Sequence, residues 1–315
     1  MPAYTDLSQL SLSSSVLTVG SFDGLHLGHQ ALIRTVVDLS KRGGMPSVVV
    51  TFYPHPSVVL RGRKPVFYIT LPEDKAGRIE ALGVEHVIVQ RFDESLAHTS
   101  ASRFLDLLEG RLHMRHLCVG QDFALGHERE GNVLFLRREA ERRGFELHVV
   151  PPVMVGGEVV SSTRVREALR SGDVARVASY LGRPFSLRGE VAKGVGRGRS
   201  LGIATANLSM HEEQAFPGRG VYACYARVGS VRRAAVANVG LRPTFSDGLP
   251  TPVVEVHLLD WDGDLYGRSV EVEFVARLRE ERKFENPEDL VRQIRLDIES
   301  ARELLGMGME DDDGG

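Results

Sequence analysis

Between residues 16 and 150 the chain alternates short apolar runs with amphipathic stretches. The runs at 16–19, 47–52, 86–90, 116–119 and 146–150 have the length of strands. Ser47-Val48-Val49-Val50-Thr51-Phe52 is apolar at nearly every position, as a strand buried on both faces must be. The stretches between them, 30–41, 73–82, 100–109 and 133–143, carry apolar residues at helical spacing. This alternation predicts βαβ units and a doubly wound parallel sheet, which binds ligands at the carboxyl ends of its strands. Two more helical segments, 163–169 and 173–181, end at Gly182-Arg183-Pro184, where a domain boundary is expected.

Beyond that boundary the pattern changes. Short β-rich runs at 189–191, 220–228, 231–239, 253–259 and 269–275 are separated by glycine-rich turns with no helix between them. They predict an antiparallel barrel or sandwich. A final helix over 287–305 sets Leu290, Ile294, Ile298 and Ala301 at helical spacing and is expected to close on the β domain. The expected organisation is an α/β domain over 1–183, an all-β domain over 184–306 in the form of a Greek-key-like antiparallel barrel with a closing helix, and a frayed acidic tail over 307–315.

Composition narrows the function without naming it. The 315 residues are 42% hydrophobic and 26% charged, enough to bury full cores. The net charge of −3, with arginines interleaved with acids as in Arg137-Arg138-Glu139, gives no reason to expect a nucleic-acid partner. No apolar run approaches a membrane span and the N-terminus lacks a signal-peptide pattern, so no membrane partner and a cytoplasmic location are expected. Cys118 and Cys224, far apart in apolar runs, read as buried free thiols.

The first run feeds into Gly20-Ser21-Phe22-Asp23-Gly24-Leu25-His26-Leu27-Gly28-His29. Its glycines relieve a strand-to-helix turn of side-chain bulk. At the mouth of a helix, backbone N–H groups and the macrodipole favour an anion. With a helix starting near Leu25, His26 and His29 share a face, suited to gripping a phosphate. Thr51-Phe52-Tyr53-Pro54-His55-Pro56, leaving the second strand, and Val119-Gly120-Gln121-Asp122-Phe123, leaving the fourth, are expected to converge on the same pocket. Ser161-Ser162-Thr163-Arg164-Val165-Arg166 opens a helix with hydroxyls at its N-cap and an arginine one turn in, a second phosphate clamp. His55, His86, His113, His116 and His148 lie outside these motifs and read as surface or satisfied core residues.

The histidine motif and the 161–166 segment, in this order, resemble the paired signatures of HIGH-type nucleotidyltransferases. More narrowly, they resemble the adenylyltransferase half of bacterial bifunctional riboflavin kinase/FAD synthetases. The resemblance implies transfer of AMP from ATP to FMN, with release of pyrophosphate and no protein nucleophile. It implies that His26 and His29 hold nucleotide phosphates in a loop that includes Gly20, Phe22 and Gly24. Ser162, Thr163 and Arg166 would lie by the leaving pyrophosphate, and Asp122 in the substrate cleft. Asp122-Phe123-Ala124-Leu125-Gly126 departs from the family, which has an arginine and an aromatic before that glycine.

The second half carries its own constellation. Gly194-Val195-Gly196-Arg197-Gly198-Arg199-Ser200-Leu201-Gly202 is a loop whose backbone can approach phosphates, although it lacks a Walker ending. In Ile203-Ala204-Thr205-Ala206-Asn207-Leu208, Thr205 and Asn207 are two apart on an extended segment and face one side. A hydroxyl and an amide oxygen are hard ligands suited to Mg²⁺ beside a triphosphate. This stretch resembles the Pro-Thr-Ala-Asn motif of riboflavin kinases, with Ala204 in the place of proline and a slightly looser geometry expected.

Asn238-Val239-Gly240-Leu241-Arg242-Pro243-Thr244-Phe245, Val254-Glu255-Val256-His257-Leu258, Leu265-Tyr266-Gly267 and Leu278-Arg279-Glu280-Glu281-Arg282-Lys283-Phe284 follow in the family's order. On a strand, Glu255 and His257 share a face opposite Val254, Val256 and Leu258. The resemblance makes Glu255 the general base for the ribityl hydroxyl of riboflavin. It assigns Gly194, Gly196, Arg197 and Gly198 to the nucleotide, and Asn207, Arg279 and Phe284 to the substrate. Riboflavin, FMN and ATP are then the expected partners, with Mg²⁺ accompanying ATP and flavins as substrate and product. A chain in which only the kinase half works, or a non-catalytic flavin-binding regulator, is the alternative. Retention of His26, His29, Thr163, Arg166, Thr205, Asn207 and Glu255 speaks against both.

Overall fold

The structure is a computed structural model and describes residues 4–62, 68–192, 204–242 and 251–306. The chain forms two compact units, Met1–Ser162 and Thr163–Gly315.

In the first unit the elements run β1 (Ser15–Val19), α1 (Leu27–Gly43), β2 (Ser47–Tyr53), α2 (Pro56–Arg61), α3 (Pro72–Glu80), β3 (His86–Arg91), α4 (Glu94–Ala97) and α5 (Ala101–Leu112). Then come β4 (Met114–Gly120), the hairpin β5 (Ala124–Leu125) and β6 (Gly131–Asn132), α6 (Val133–Arg143), β7 (Glu146–Val150) and the hairpin β8 (Met154–Val155) and β9 (Glu158–Val159). Strands β3-β2-β1-β4-β7 form one parallel sheet in that order. All five strands read from the apolar runs are in it. Both faces are covered, and the alternation along each strand shows how. Val48 and Val50 join the core built with Phe104, Leu105 and Leu108 of α5, whereas Val49 joins the core built with Ile33 and Val36 of α1. Cys118 is fully buried, as expected of a free thiol, and burial pushes it up to about 12.

The strand order fixes where a ligand belongs. The chain builds outward from β1 through β2 to β3, then returns to place β4 on the other side of β1. The crevice between the carboxyl ends of β1 and β4 is therefore the topological switch point, where such sheets bind ligands.

The second unit begins one residue into α7 (Ser162–Ser171), and α7 and α8 (Val174–Leu181) precede six strands: β10 (Phe185–Ala192), β11 (Ala206–Ser209), β12 (Gly220–Val228), β13 (Val231–Arg242), β14 (Thr251–Leu258) and β15 (Ser269–Arg279). They close in the order β10-β11-β14-β13-β12-β15 with antiparallel pairing throughout. The pairing of β10 with β15 closes the sheet and bears out the expected barrel over a sandwich, so none of these six strands is left as an edge. Helix α8 packs on β10 and β15. The final helix, Pro287–Leu304, starts where Asn286 caps it through Asp289 N with proline at the first helical position. Ile298 and Ala301 pack on Val221, Ala223 and Val236, which face out from the barrel wall.

Candidate functional site

In the first unit the site grows from the turn after β1. Gly20 N donates to Val50 O. The Ser21 carbonyl accepts from Thr51 Oγ1 at 3.1 Å and from Lys75 Nζ at 3.0 Å, and the same ammonium donates to Phe52 O at 3.1 Å. Asp23, fully buried, accepts from the Ile69 and Thr70 amides through Oδ1 at 3.0 and 3.1 Å. Gly24 lies at φ +86°, and a Cβ there would press on Ile69 at 3.1 Å. Phe22 and Leu25 also take positive φ, which the buried contacts of both side chains hold in place.

Helix α1 starts at Leu27, and His26 is its N-cap rather than a first-turn residue. His26 Nδ1 accepts from His29 N at 3.4 Å. In the neutral ring this leaves the proton on Nε2, a donor suited to a phosphate oxygen. The two imidazoles stack with centroids 3.6 Å apart at 21°, and Phe22 meets His29 edge-on at 5.3 Å. The shared direction expected of His26 and His29 is thus achieved by capping and stacking. Gly28 makes room for it, because a Cβ there would lie 3.1 Å from His26 Cε1.

Lys75 has no place in the sequence motifs, yet it is buried at the base of this turn. Burial lowers it from its usual range to about 8, against an opposing pull from Asp23. A signal for it exists: Leu71, Lys75 and Ile79 follow at i, i+4 and i+8, which sets a lysine on the apolar stripe of α3.

Asp122 leaves the carboxyl end of β4, the strand beside β1, and is exposed. In the departed segment, Ala124 and Leu125 form β5, with Leu125 in the core. Arg129 Nη2 returns to the Asp122 carbonyl at 3.0 Å, so an arginine reaches this loop from further along the chain. Ser162 Oγ donates to the Asp23 carbonyl at 2.9 Å, within the first unit. Thr163 and Arg166 lie on α7, with Arg166 buried.

In the second unit, register supplies the site. Asn207 on β11 is opposite Glu255 on β14, and Glu255 is opposite Asn238 on β13. The rung continues to Val221 on β12, which lies under the final helix. Glu255 and its two asparagine neighbours are half-buried on the outer wall, while Val254, Val256 and Leu258 fill the barrel. Asn207 Oδ1 is buried with no hydrogen-bond partner among the described residues. A buried amide oxygen of this kind calls for a cation or a donor, so the donor set of Thr205 and Asn207 fits Mg²⁺. His257 Nδ1 donates to the Ala204 carbonyl at 2.8 Å, anchoring the segment that lacks the family's proline.

Arg279 is committed within the protein. It donates to Asp297 at 2.9 Å through Nε and 2.7 Å through Nη2, and Gln293 adds a bond to the same carboxylate. Its guanidinium lies 5.8 Å from the Phe284 ring and that of Arg282 lies 4.7 Å from it. Glu281 pairs with Arg219 at 2.7 Å and lies against Gly240, where a Cβ would be 2.7 Å from its Oε1. Gly194, Gly196, Arg197 and Gly198 lie outside the described residues, as do Pro243, Thr244 and Phe245.

A family model for FAD synthetase matches residues 8–164, and one for riboflavin kinase matches residues 181–305. The bifunctional riboflavin kinase/FMN adenylyltransferase of Listeria monocytogenes is 36% identical over 92% of this chain and 92% of its own. That of Escherichia coli is 36% identical over 96% of both. Among solved structures, a macrolide-efflux protein from Streptococcus pneumoniae matches with a TM-score of 0.88 and 30% identity, over 96% of this chain and 98% of that one. Efflux is that protein's description; among the described residues here, no helix is long and apolar enough to cross a membrane. Two family models that account for most of the chain, and curated relatives that carry both activities along its length, place it: the chain belongs to the bifunctional riboflavin kinase/FMN adenylyltransferase family.

Proposed function

We propose that the two reactions of this family run at separate sites of this chain, with riboflavin phosphorylated at the barrel and FMN adenylylated at the β1–α1 turn. The register that sets Glu255 between Asn207 and Asn238 carries the kinase assignment. Glu255 takes the proton from the ribityl 5′-hydroxyl as its oxygen attacks the γ-phosphorus of ATP and the bond from that phosphorus to the bridging oxygen breaks, releasing ADP. Thr205 and Asn207 would hold Mg²⁺, which when bound would supply positive charge to the phosphates. Asn238 orients the Glu255 carboxylate. Arg279, held by Asp297, positions Phe284 for the flavin rather than touching it. Gly194, Gly196, Arg197 and Gly198 line the triphosphate.

In the first unit the FMN phosphate oxygen attacks the α-phosphorus of ATP, and the bond to pyrophosphate breaks. No covalent intermediate with the protein is needed, so the protein acts by positioning and by charge stabilisation. His26 and His29 donate to the phosphate oxygens in front of the amide-rich start of α1. Gly20, Phe22 and Gly24 shape the turn, Asp122 lies on the flavin side, and Ser162, Thr163 and Arg166 serve the leaving pyrophosphate.

The test is incubation of the purified chain with riboflavin, ATP and Mg²⁺, following FMN and FAD by chromatography. FMN should appear and convert to FAD. Glu255→Ala should stop FMN formation and leave conversion of added FMN to FAD intact; His29→Ala should do the reverse. Loss of both activities in either folded variant would overturn the separate sites. FMN accumulating without FAD in the unaltered protein would leave only the kinase half.

A further inference from the structure

The sequence left His116 and His148 as surface or core residues, but the sheet brings them together with Glu146. His116 on β4 is the register partner of Glu146 on β7, and His148 follows opposite Cys118. His116 Nδ1 is 3.1 Å from His148 Nε2 and 3.4 Å from Glu146 Oε2. His148 Nε2 is 3.6 Å from that same oxygen. Bonds of about 2.0–2.1 Å in a tetrahedral zinc site separate its ligand atoms by about 3.3–3.4 Å. The three atoms therefore already outline one face of such a tetrahedron.

A hydrogen bond between the two imidazoles accounts for one of these distances. It leaves no proton between the accepting nitrogen and the carboxylate oxygen beside it, a pairing of two acceptors that a cation at the centre relieves. The donor types select the ion: two imidazoles and a carboxylate suit a borderline transition metal, whereas Mg²⁺ and Ca²⁺ prefer all-oxygen shells. We propose that His116, Glu146 and His148 bind Zn²⁺, with water in the fourth position, and that the ion clamps the edge strand β7 to β4.

Exposure supports a loadable site. The rings are largely covered, at 18% and 28% side-chain exposure, while Glu146 is 71% exposed and able to swing in with the ion. The site is separate from the chemistry. His116 lies beside Val16, four residues or about 13 Å of strand before the Gly20 turn.

Chelator-stripped full-length chain, free of ATP, is titrated with Zn²⁺ by calorimetry and with Co²⁺ by visible absorption. The expected result is one Zn²⁺ equivalent, Co²⁺ bands of tetrahedral intensity that Zn²⁺ displaces, and a Zn²⁺-dependent rise in Tm. His148→Gln should weaken binding roughly a hundredfold and Glu146→Gln roughly tenfold. Both variants should keep riboflavin phosphorylation in Mg-ATP. Absence of Zn²⁺ binding, a weak octahedral Co²⁺ spectrum, or unchanged binding in His148→Gln would each overturn the site. If His148→Gln does not fold, the exposed Glu146→Gln decides, and unchanged affinity there would overturn it.

Discussion

Ser162 Oγ donates to the carbonyl of Asp23 at 2.9 Å, across 139 positions of sequence. Asp23 meanwhile accepts from the Ile69 and Thr70 amides. One buried residue thus ties the histidine turn, the segment before α3 and Ser162, all within the first unit. Ser162→Ala removes the tie without adding bulk. The FMN-to-FAD rate should fall roughly three- to tenfold, the worth of one hydrogen bond, with riboflavin phosphorylation unchanged. Separate assays of the two steps check this, and an equal fall in both would count against it.

Gly28→Ala separates stability from geometry. Alanine in a helix gains about 0.5–1 kcal/mol over glycine. Its Cβ, however, would lie 3.1 Å from His26 Cε1 and 3.2 Å from Nδ1, so the stacked ring must shift. The expected variant melts no lower than the parent yet adenylylates FMN about tenfold more slowly. Thermal melts and single-step rates on one preparation test the pair.

Lys75 makes stability depend on pH. Its folded pKa is about 8, against the ordinary 10.5 of the unfolded chain. Below pH 8 both states are protonated and the burial penalty is constant. Between pH 8 and 10.5 the unfolded chain binds the extra proton, so this residue makes stability rise with pH, by roughly 3 kcal/mol in all. Cys118, raised from 9.0 to about 12, works in the opposite sense over the upper part of the range. The difference between the parent and Lys75→Met therefore isolates the lysine. Urea unfolding at pH 7 and pH 10 should show the stability of the parent relative to Lys75→Met increasing with pH.

Asn207 offers a buried oxygen that makes no protein hydrogen bond among the described residues. Asn207→Ala should therefore cost little stability, while the Mg²⁺ concentration needed for half-maximal riboflavin phosphorylation rises about tenfold or more. An unchanged Mg²⁺ dependence would remove this residue from the metal site.

Arg279 and Asp297 join β15 to the final helix, with Asp297 4% exposed. Asp297→Ala strands the guanidinium beside an apolar gap and should destabilise the second unit by about 3 kcal/mol. Replacing both, as Arg279→Met with Asp297→Leu, should recover much of that loss. Denaturant unfolding of the single and double variants measures the coupling.

Much of this protein is legible without coordinates. The alternation of apolar runs and amphipathic stretches determined the parallel sheet, because a strand covered on both faces has no polar side to show. The glycine-rich turns between β runs determined an all-β second half. The paired motifs pointed to phosphate handling, and their resemblance to a known family supplied the reaction. What pattern could not supply is whatever depends on neighbours distant in sequence. Closure of β10 onto β15 is a long-range pairing, and periodicity alone fits a sandwich as well. The Arg279–Asp297 pair exists only because the final helix packs back on β15, which the run at 278–284 does not foresee. His26 and His29 share a direction by capping and stacking, which spacing along a helix does not foresee. Lys75 under the turn and the His116–Glu146–His148 cluster follow from packing and register, and both are decided only when the strands take their order.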